Sequence, residues 1–475
     1  MAKDFLPYSL DQQYLLPVDL RDWLPAGHLA LFLADAIGQL DLAPIFAAYP
    51  RGRGPRGYHP QMLLSVLLYG YCIGVYSSRR LAAACENEVA LRVLSGGAYP
   101  DFRTLSDFRK RHLPEMKRLF VEVLRLCREA GLVTVGHLSL DGSKYQANAS
   151  KHKAMSYGRI REVEPKLEAE VKELLRQAEA VDRAEDEEHG RGVRGDELPA
   201  ELQRREDRLR KLREAKARLE ARARERAEDR ARAKGAESAE VAAAGENVQP
   251  GDREQSNFTD PDSRIMKTKA GWMQAYNTQV MATAANGVIV ACEVGNHSAD
   301  SPRLLPMLDA TDSNLRAIGY SAGLASTAAT SFPSTSALSS ASESASTSAV
   351  VPIVFSADAG YCSEVNLAEL ERRGLDAYVA TGRERHHRGG VDPQGRPRTP
   401  KRAAMRAKLQ TDVGRATYAR RKCITEPIHG LIKQARGFRQ FLLRGLAKVQ
   451  AEFTLIALTH NLLKLWRAKA ADTPA

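Results

Sequence analysis

Residues 160 to about 245 consist almost entirely of Ala, Glu, Arg, Lys and Leu, as in "REVEPKLEAEVKELLRQAEAV" and "ELQRREDRLRKLREAKARLEARARERAEDRARAK". That composition forms long charged helices and cannot supply sheet strands. "HGRGVRGDELP" breaks the run in two, which predicts an antiparallel helical hairpin. Strand-like sequence stands on both sides of it, so the hairpin must be inserted into a unit whose sheet is completed by residues far apart in the chain. The hairpin itself reads as a solvated coiled pair, not as a carrier of catalytic groups.

Before the insertion, Val133 to Asp141 alternates like a strand, with one break in phase near Gly136. After it, "AYNTQVMATAANGVIVACEVG" places Ala285-Asn286-Gly287 between two β-rich runs, a strong hairpin signal. A helix is expected over "SPRLLPMLDATDSNLRAIGY". A Ser/Ala/Thr tract at 321–349 then reads as a disordered surface insertion, too poor in large apolar residues to pack. "VVPIVFSADAGYCSE" is a short buried strand ending at Asp358, followed by the helix "EVNLAELERRG", the strand "DAYVAT", a basic loop and a final helical region.

Residues 1–130 read as helical. "YHPQMLLSVLLYGY" presents one broad apolar surface behind Pro60, Thr104 or Ser106 is a candidate N-cap for the next basic helix, and Gly131 stops the following one. A DNA-binding helix-turn-helix module and an all-helical packing or dimerisation domain fit this pattern equally well. The divisions are therefore 1–130, helical DNA-binding or dimerisation; 131–160 with 255–465, catalytic α/β; 161–250, charged helical insertion; and 321–349, the Ser/Ala-rich insertion.

The 475 residues carry a formal charge of +12 with a pI near 9.4, which favours a polyanionic partner, nucleic acid first. Six cysteines are scattered with no close pair, against a zinc knuckle or a redox pair and for a reducing cytoplasm. His297, His386 and His387 have no partner ligands at recognisable spacing. The N-terminus has no signal-peptide core, and no apolar run is long enough to span a membrane.

Strand with Asp141, insertion, hairpin, helix, strand with Asp358, helix, strand and helix with Glu426 is the order of a ribonuclease-H-like α/β fold. Ligand sites in open α/β sheets lie beyond the strand ends. Two aspartates closing adjacent strands and a glutamate from a helix would offer three hard oxygen ligands, suited to magnesium. Two such ions can assist in-line displacement at phosphorus. Singly, an aspartate after a strand is more often a turn residue. Asp260 and Asp262, in "TDPDSR", are read as loop-ordering groups, and Trp272 as a core residue beside the hairpin rather than a stacking platform for a flipped base.

"LDGSKYQANAS", "ADAGYCSE" and "EPIHGLIKQARGFRQFLLRGLAKVQAEFTLIALTHNLLKL" resemble, in order, the motifs of bacterial insertion-sequence transposases of the DDE class, specifically the IS eleven-eighty-two type. The resemblance implies that Asp141, Asp358 and Glu426 bind two magnesium ions, with manganese able to substitute. It implies Lys433, seven residues after Glu426 and so on its helix face, as a further catalytic group. Tyr418 would belong to the same signature. Its arginine place is contested by Arg421 and Lys422, and the four-residue spacing to Glu426 selects Lys422. Lys433, Arg436, Arg439, Arg444 and Lys448 would contact DNA phosphates. The implied activity is cleavage at element ends and strand transfer, by a homodimer acting on terminal inverted repeats and target DNA near the bacterial nucleoid. A nuclease or resolvase that cuts without joining, or an inactive DNA-binding relic, are the alternatives.

Overall fold

The computed structural model describes residues 19–49, 57–189, 200–233, 236–246, 248–268, 271–320, 324, 352–382 and 399–472. His386, His387 and the Ser/Ala-rich tract, apart from Leu324, lie outside them. Helices come first: α1 (Leu29–Gly38), α2 (Ala43–Ala47), α3 (Pro60–Ile73), α4 (Ser78–Asn87), α5 (Val89–Leu94), α6 (Phe102–Arg111) and α7 (Met116–Glu129). Pro60 opens α3, where its missing N–H costs nothing. Helix α6 begins earlier than expected. Asp101, not Thr104 or Ser106, is its N-cap and accepts from the Arg103 amide at 2.6 Å.

The principal sheet contains β1 (His137–Gln146), β4 (Arg264–Thr268), β5 (Gly271–Thr283), β6 (Ile289–Gly295), β7 (Val354–Ala357) and β8 (Asp376–Val379). Strand β5 pairs antiparallel with β1 on one side and with β4 and then β6 on the other. Strand β1 continues into parallel β7, and β7 into parallel β8. Helices α11 (Leu304–Ala317) and α12 (Glu364–Arg372) make the crossovers, as the sequence order requires. The Asn-Gly hairpin forms, but with a four-residue loop: Thr283 pairs with Val288, and Gly287 takes φ +62°.

The charged segment leaves through β2 (Ala154–Ser156) and returns through β3 (Gln255–Asn257), which pair antiparallel and close its neck. Between them run α8 (Tyr157–His189), α9 (Ala200–Ala233) and α10 (Ser238–Gly245). Ile160, Leu167, Leu212 and Leu219 form their own small core. Glu164 pairs with Lys216 at 2.8 Å and Glu168 with Arg213 at 3.3 Å, a ladder that runs antiparallel.

After α13 (Pro400–Gln410), α14 (Asp412–Ala419), α15 (Arg421–Ile424) and α16 (Glu426–Gly430), the chain ends in the long α17 (Leu446–Asp472). Its middle is wholly buried, packed on α7 and α3 and against β6. One continuous core runs from Leu29 in α1 to Leu465 in α17. Polar groups on α17 also finish the sheet edge: Asn461 accepts from the Ile289 amide at 2.9 Å and donates to its carbonyl at 2.8 Å, while Gln450 accepts from the Val294 amide at 2.6 Å. A β6 edge that would otherwise leave ladder groups unpaired is thereby closed. Asp260 and Asp262 order the start of this helix, accepting from the Gly445 and Leu446 amides at 3.1 and 2.9 Å. Among the described residues no single helix is long and apolar enough to cross a membrane.

Glu452, fully buried on α17, accepts from the Leu442 and Leu443 amides, and burial pushes its carboxyl from 4.5 up to about 7. Its folded form therefore holds a proton that the unfolded chain releases, and stability falls as pH rises from about 4.5 to about 7. Glu452→Gln, which imitates the protonated carboxyl, is expected to flatten that decline in thermal melts across the interval; an unchanged pH profile would show that Glu452 does not set it.

Candidate active site

Strand β1 does not end at Asp141, as the alternation suggested, but runs five residues further beside β5. What ends there is its other neighbour: the β1–β7 ladder stops at Leu140 opposite Ala357. Asp141 and Asp358 therefore follow a matched pair in two parallel strands and stand side by side where the sheet opens. The Asp141 carboxylate accepts from the Gly142 amide at 3.0 Å, and that of Asp358 from the Gly360 amide at 2.8 Å. Burial raises both carboxyls. Asp141 is pushed up to about 6, with Arg421 opposing and Asp358 and Glu426 adding; Asp358 is raised by burial and by Asp300, against its Gly360 hydrogen bond.

Arg421, the first residue of α15, fills the space between the acids. Its guanidinium lies 3.5 Å from Asp141 and 3.8 Å from Glu426, and 5.7 Å from the Tyr418 ring on α14. Of the two residues that contest the arginine place, Arg421 is the one that stands beside Asp141 and Glu426. Lys422, which the spacing selected, is exposed, because one residue along a helix turns the side chain by about 100°. Glu426 opens α16 with its side chain 55% exposed and reaches the acid pair only through Arg421.

Lys433 does not simply share the face of Glu426, since a π-helical turn over Leu431–Ala435 shifts the phase between them. Its ammonium is turned onto β1, donating to Ser143 Oγ at 2.6 Å and the Lys144 carbonyl at 2.9 Å, over the Tyr145 ring. Burial lowers it to about 8, with Asp141 opposing.

The donor chemistry at Asp141 and Asp358 suits a hard divalent cation: two half-buried carboxylates side by side, with two neighbouring cations, Lys433 and an Arg421 guanidinium whose Nε and Nη1 lack hydrogen-bond acceptors. In this arrangement the described residues bring no third acidic, His or Cys side chain close enough to complete a cage. Glu426 is held off by Arg421.

A supporting layer was not legible in the sequence. Asp300 accepts from Asn277 at 2.7 Å and Gln279 at 3.0 Å, and the buried Tyr361 hydroxyl donates to the Gln279 side-chain oxygen. The Asp300 carboxylate fits only because Gly142 and Gly360 lack side chains: a Cβ at either would come within 2.9 or 2.8 Å of it. The glycines immediately after Asp141 and soon after Asp358 were the available signal.

Two family models match this chain. One, described as a transposase domain (DUF772), covers residues 18–111; the other, a transposase DDE domain, covers residues 385–466. Together the two matches support an insertion-sequence DDE transposase. No curated protein and no solved structure gives a significant match. The second match includes Tyr418, Arg421, Glu426 and Lys433, while Asp141 and Asp358 lie between the two.

The basic series expected along DNA divides. Arg436 is buried, donating to the Tyr71 carbonyl at 2.8 Å, the Ile456 carbonyl at 3.1 Å and Thr459 Oγ1 at 2.5 Å. It cannot also serve a phosphate. It ties α3 to α17, and Gly74 is needed there because a Cβ would meet the Arg436 carbonyl at 2.6 Å. Arg439, Arg444 and Lys448 are exposed. Arg436→Ala is expected to cost roughly 2–4 kcal/mol by stranding buried carbonyls, against no more than about 0.5 kcal/mol for Arg439→Ala. Denaturant melts of the two variants check this, and equal stabilities would refute the clamp.

Proposed function

We propose that this transposase cuts DNA at the ends of its element and joins the freed 3′-hydroxyl to target DNA, at a site formed by Asp141, Asp358, Glu426 and Lys433. The observation that carries the reading is the register Leu140–Ala357, which sets two half-buried aspartates together where the sheet opens. The sheet order β6-β5-β1-β7-β8, with three antiparallel strands followed by two parallel ones, supports a ribonuclease-H-like catalytic fold. The helical N-terminal region is read as the part that recognises the element end, and the active species as a dimer on DNA.

Asp141 and Asp358 would hold magnesium, with manganese able to substitute, and Glu426 would supply the third carboxylate. Two bound ions would activate the attacking oxygen and stabilise the leaving one. The protein's own groups prepare that place. Gly142 and Gly360 amides fix the aspartates, and Arg421 neutralises them while no phosphate is present. Lys433, anchored on Ser143 and the Lys144 carbonyl, keeps a positive charge beside Asp141 for a phosphate oxygen. Arg421 presents a planar fork that can engage phosphate with two donors, which a lysine in its place could not.

The test is cleavage and strand transfer on a labelled duplex carrying the terminal repeat. The parent should cut and join only with a divalent ion, and Asp141→Asn or Asp358→Asn should lose at least about a thousandfold in rate, the scale of removing a group that acts at the reacting phosphate. Cutting without joining would leave a nuclease; binding without either reaction would leave a DNA-binding relic.

A further inference from the structure

Trp272, expected in the core, is 60% exposed. It opens β5, paired with Lys267 across the β4–β5 ladder, and among the described residues its ring has neither an aromatic nor a cationic partner. An indole left in water forfeits most of the burial that its size offers, and its bare face is free to take a stacking partner. Beside it lies an open groove of about 590 Å³, lined also by Lys151, His152, Lys153, Gln440 and Arg444. Among the described residues no carboxylate lines this groove. Lys151 and Lys153 are exposed on a short 3-10 turn capped by Ser150, and Arg444 is braced by donating to the Asn148 carbonyl at 2.9 Å.

The lining is thus cationic without counter-charges, with one aromatic face. That combination is complementary to a nucleic-acid strand: phosphates for the cations, a base for the indole. The charge excess distinguishes it from a surface made for another protein, where charged groups are depleted at the centre. The groove also lies on the path of β1. From Asp141 to Gln146, which lines it, are five residues, about 17 Å at the usual strand rise. That is about five nucleotide steps of a B-form strand.

We infer that the Trp272 groove is a DNA-strand site, about five nucleotides from the reacting phosphate, in which Trp272 stacks on a base and Lys151, Lys153 and Arg444 hold phosphates. This rests on the reading of the chain as acting on DNA.

The test uses the full chain and fluorescence anisotropy with two labelled probes, a duplex and a single-stranded oligonucleotide, each over a salt series. Trp272→Ala should weaken single-strand binding about tenfold, and Trp272→Phe should restore most of it. Lys151→Ala with Lys153→Ala should reduce the slope of log affinity against log salt on the duplex by about two. These side chains are exposed, so the variants should fold like the parent, and circular dichroism checks that they do. A parent that binds neither probe would sink the DNA reading itself. A parent that binds while all variants match it in affinity and slope would overturn the groove alone. So would loss of self-association, measured by light scattering, in Trp272→Ala with DNA binding intact, because the patch would then be a protein interface.

Discussion

The parallel ladder between β1 and β7 is the constraint on which the site depends. Strand pairing moves in single-residue steps, and each step turns a side chain to the opposite face. With Leu140 opposite Ala357, the next residues are Asp141 and Asp358; a slip of one would separate them. Everything nearby serves that register. Gly142 and Gly360 leave room for Asp300, whose hydrogen bonds to Asn277 and Gln279 tie β5 to the loop after β6, and Tyr361 joins the turn after Asp358 to the same layer. Two half-buried carboxylates side by side repel, and Arg421 relieves the cost from one side.

The second constraint is topological. Helix α17 closes the β6 edge with Asn461 and Gln450 and packs on α7 and α3. Arg436 binds the Tyr71 carbonyl on one side and Thr459 on the other. The N-terminal helices and the last helix are consequently halves of one core, although more than 300 residues of chain separate them. The charged hairpin sits outside that core on its own narrow neck, with a small apolar seam and a ladder of exposed ion pairs, each worth little by itself.

Much of this was legible in the sequence because it follows from local chemistry. The composition break at residue 160, the Asn-Gly turn and the short apolar strand before Asp358 marked the insertion, the hairpin and the central strands. The motif resemblance pointed to the stretch of chain that carries Arg421 and Lys433 beside Asp141. Single residues were less legible where tertiary packing decides. Arg436 and Arg439 look alike in a basic run, and only burial against the Tyr71 carbonyl distinguishes them. Spacing favoured Lys422 over Arg421, but α15 begins at Arg421 and turns that side chain, not its neighbour, toward Asp141. Trp272 read as core because aromatic residues beside hairpins usually are, and no residue near it marks the start of β5 as lying in solvent. Asp300 carried no signal beyond the two glycines that admit it.

Calorimetric titration of manganese into the full chain tests the central claim most directly, because it reads the carboxylate pair without requiring DNA or turnover. The account predicts measurable binding by the parent and its loss in both Asp141→Asn and Asp358→Asn, with thermal stability in the absence of metal unchanged or increased, since each substitution removes a repelling charge. Binding of equal strength in the parent and in the two variants would contradict it, and would mean that the register joining β1 to β7 does not build the metal site.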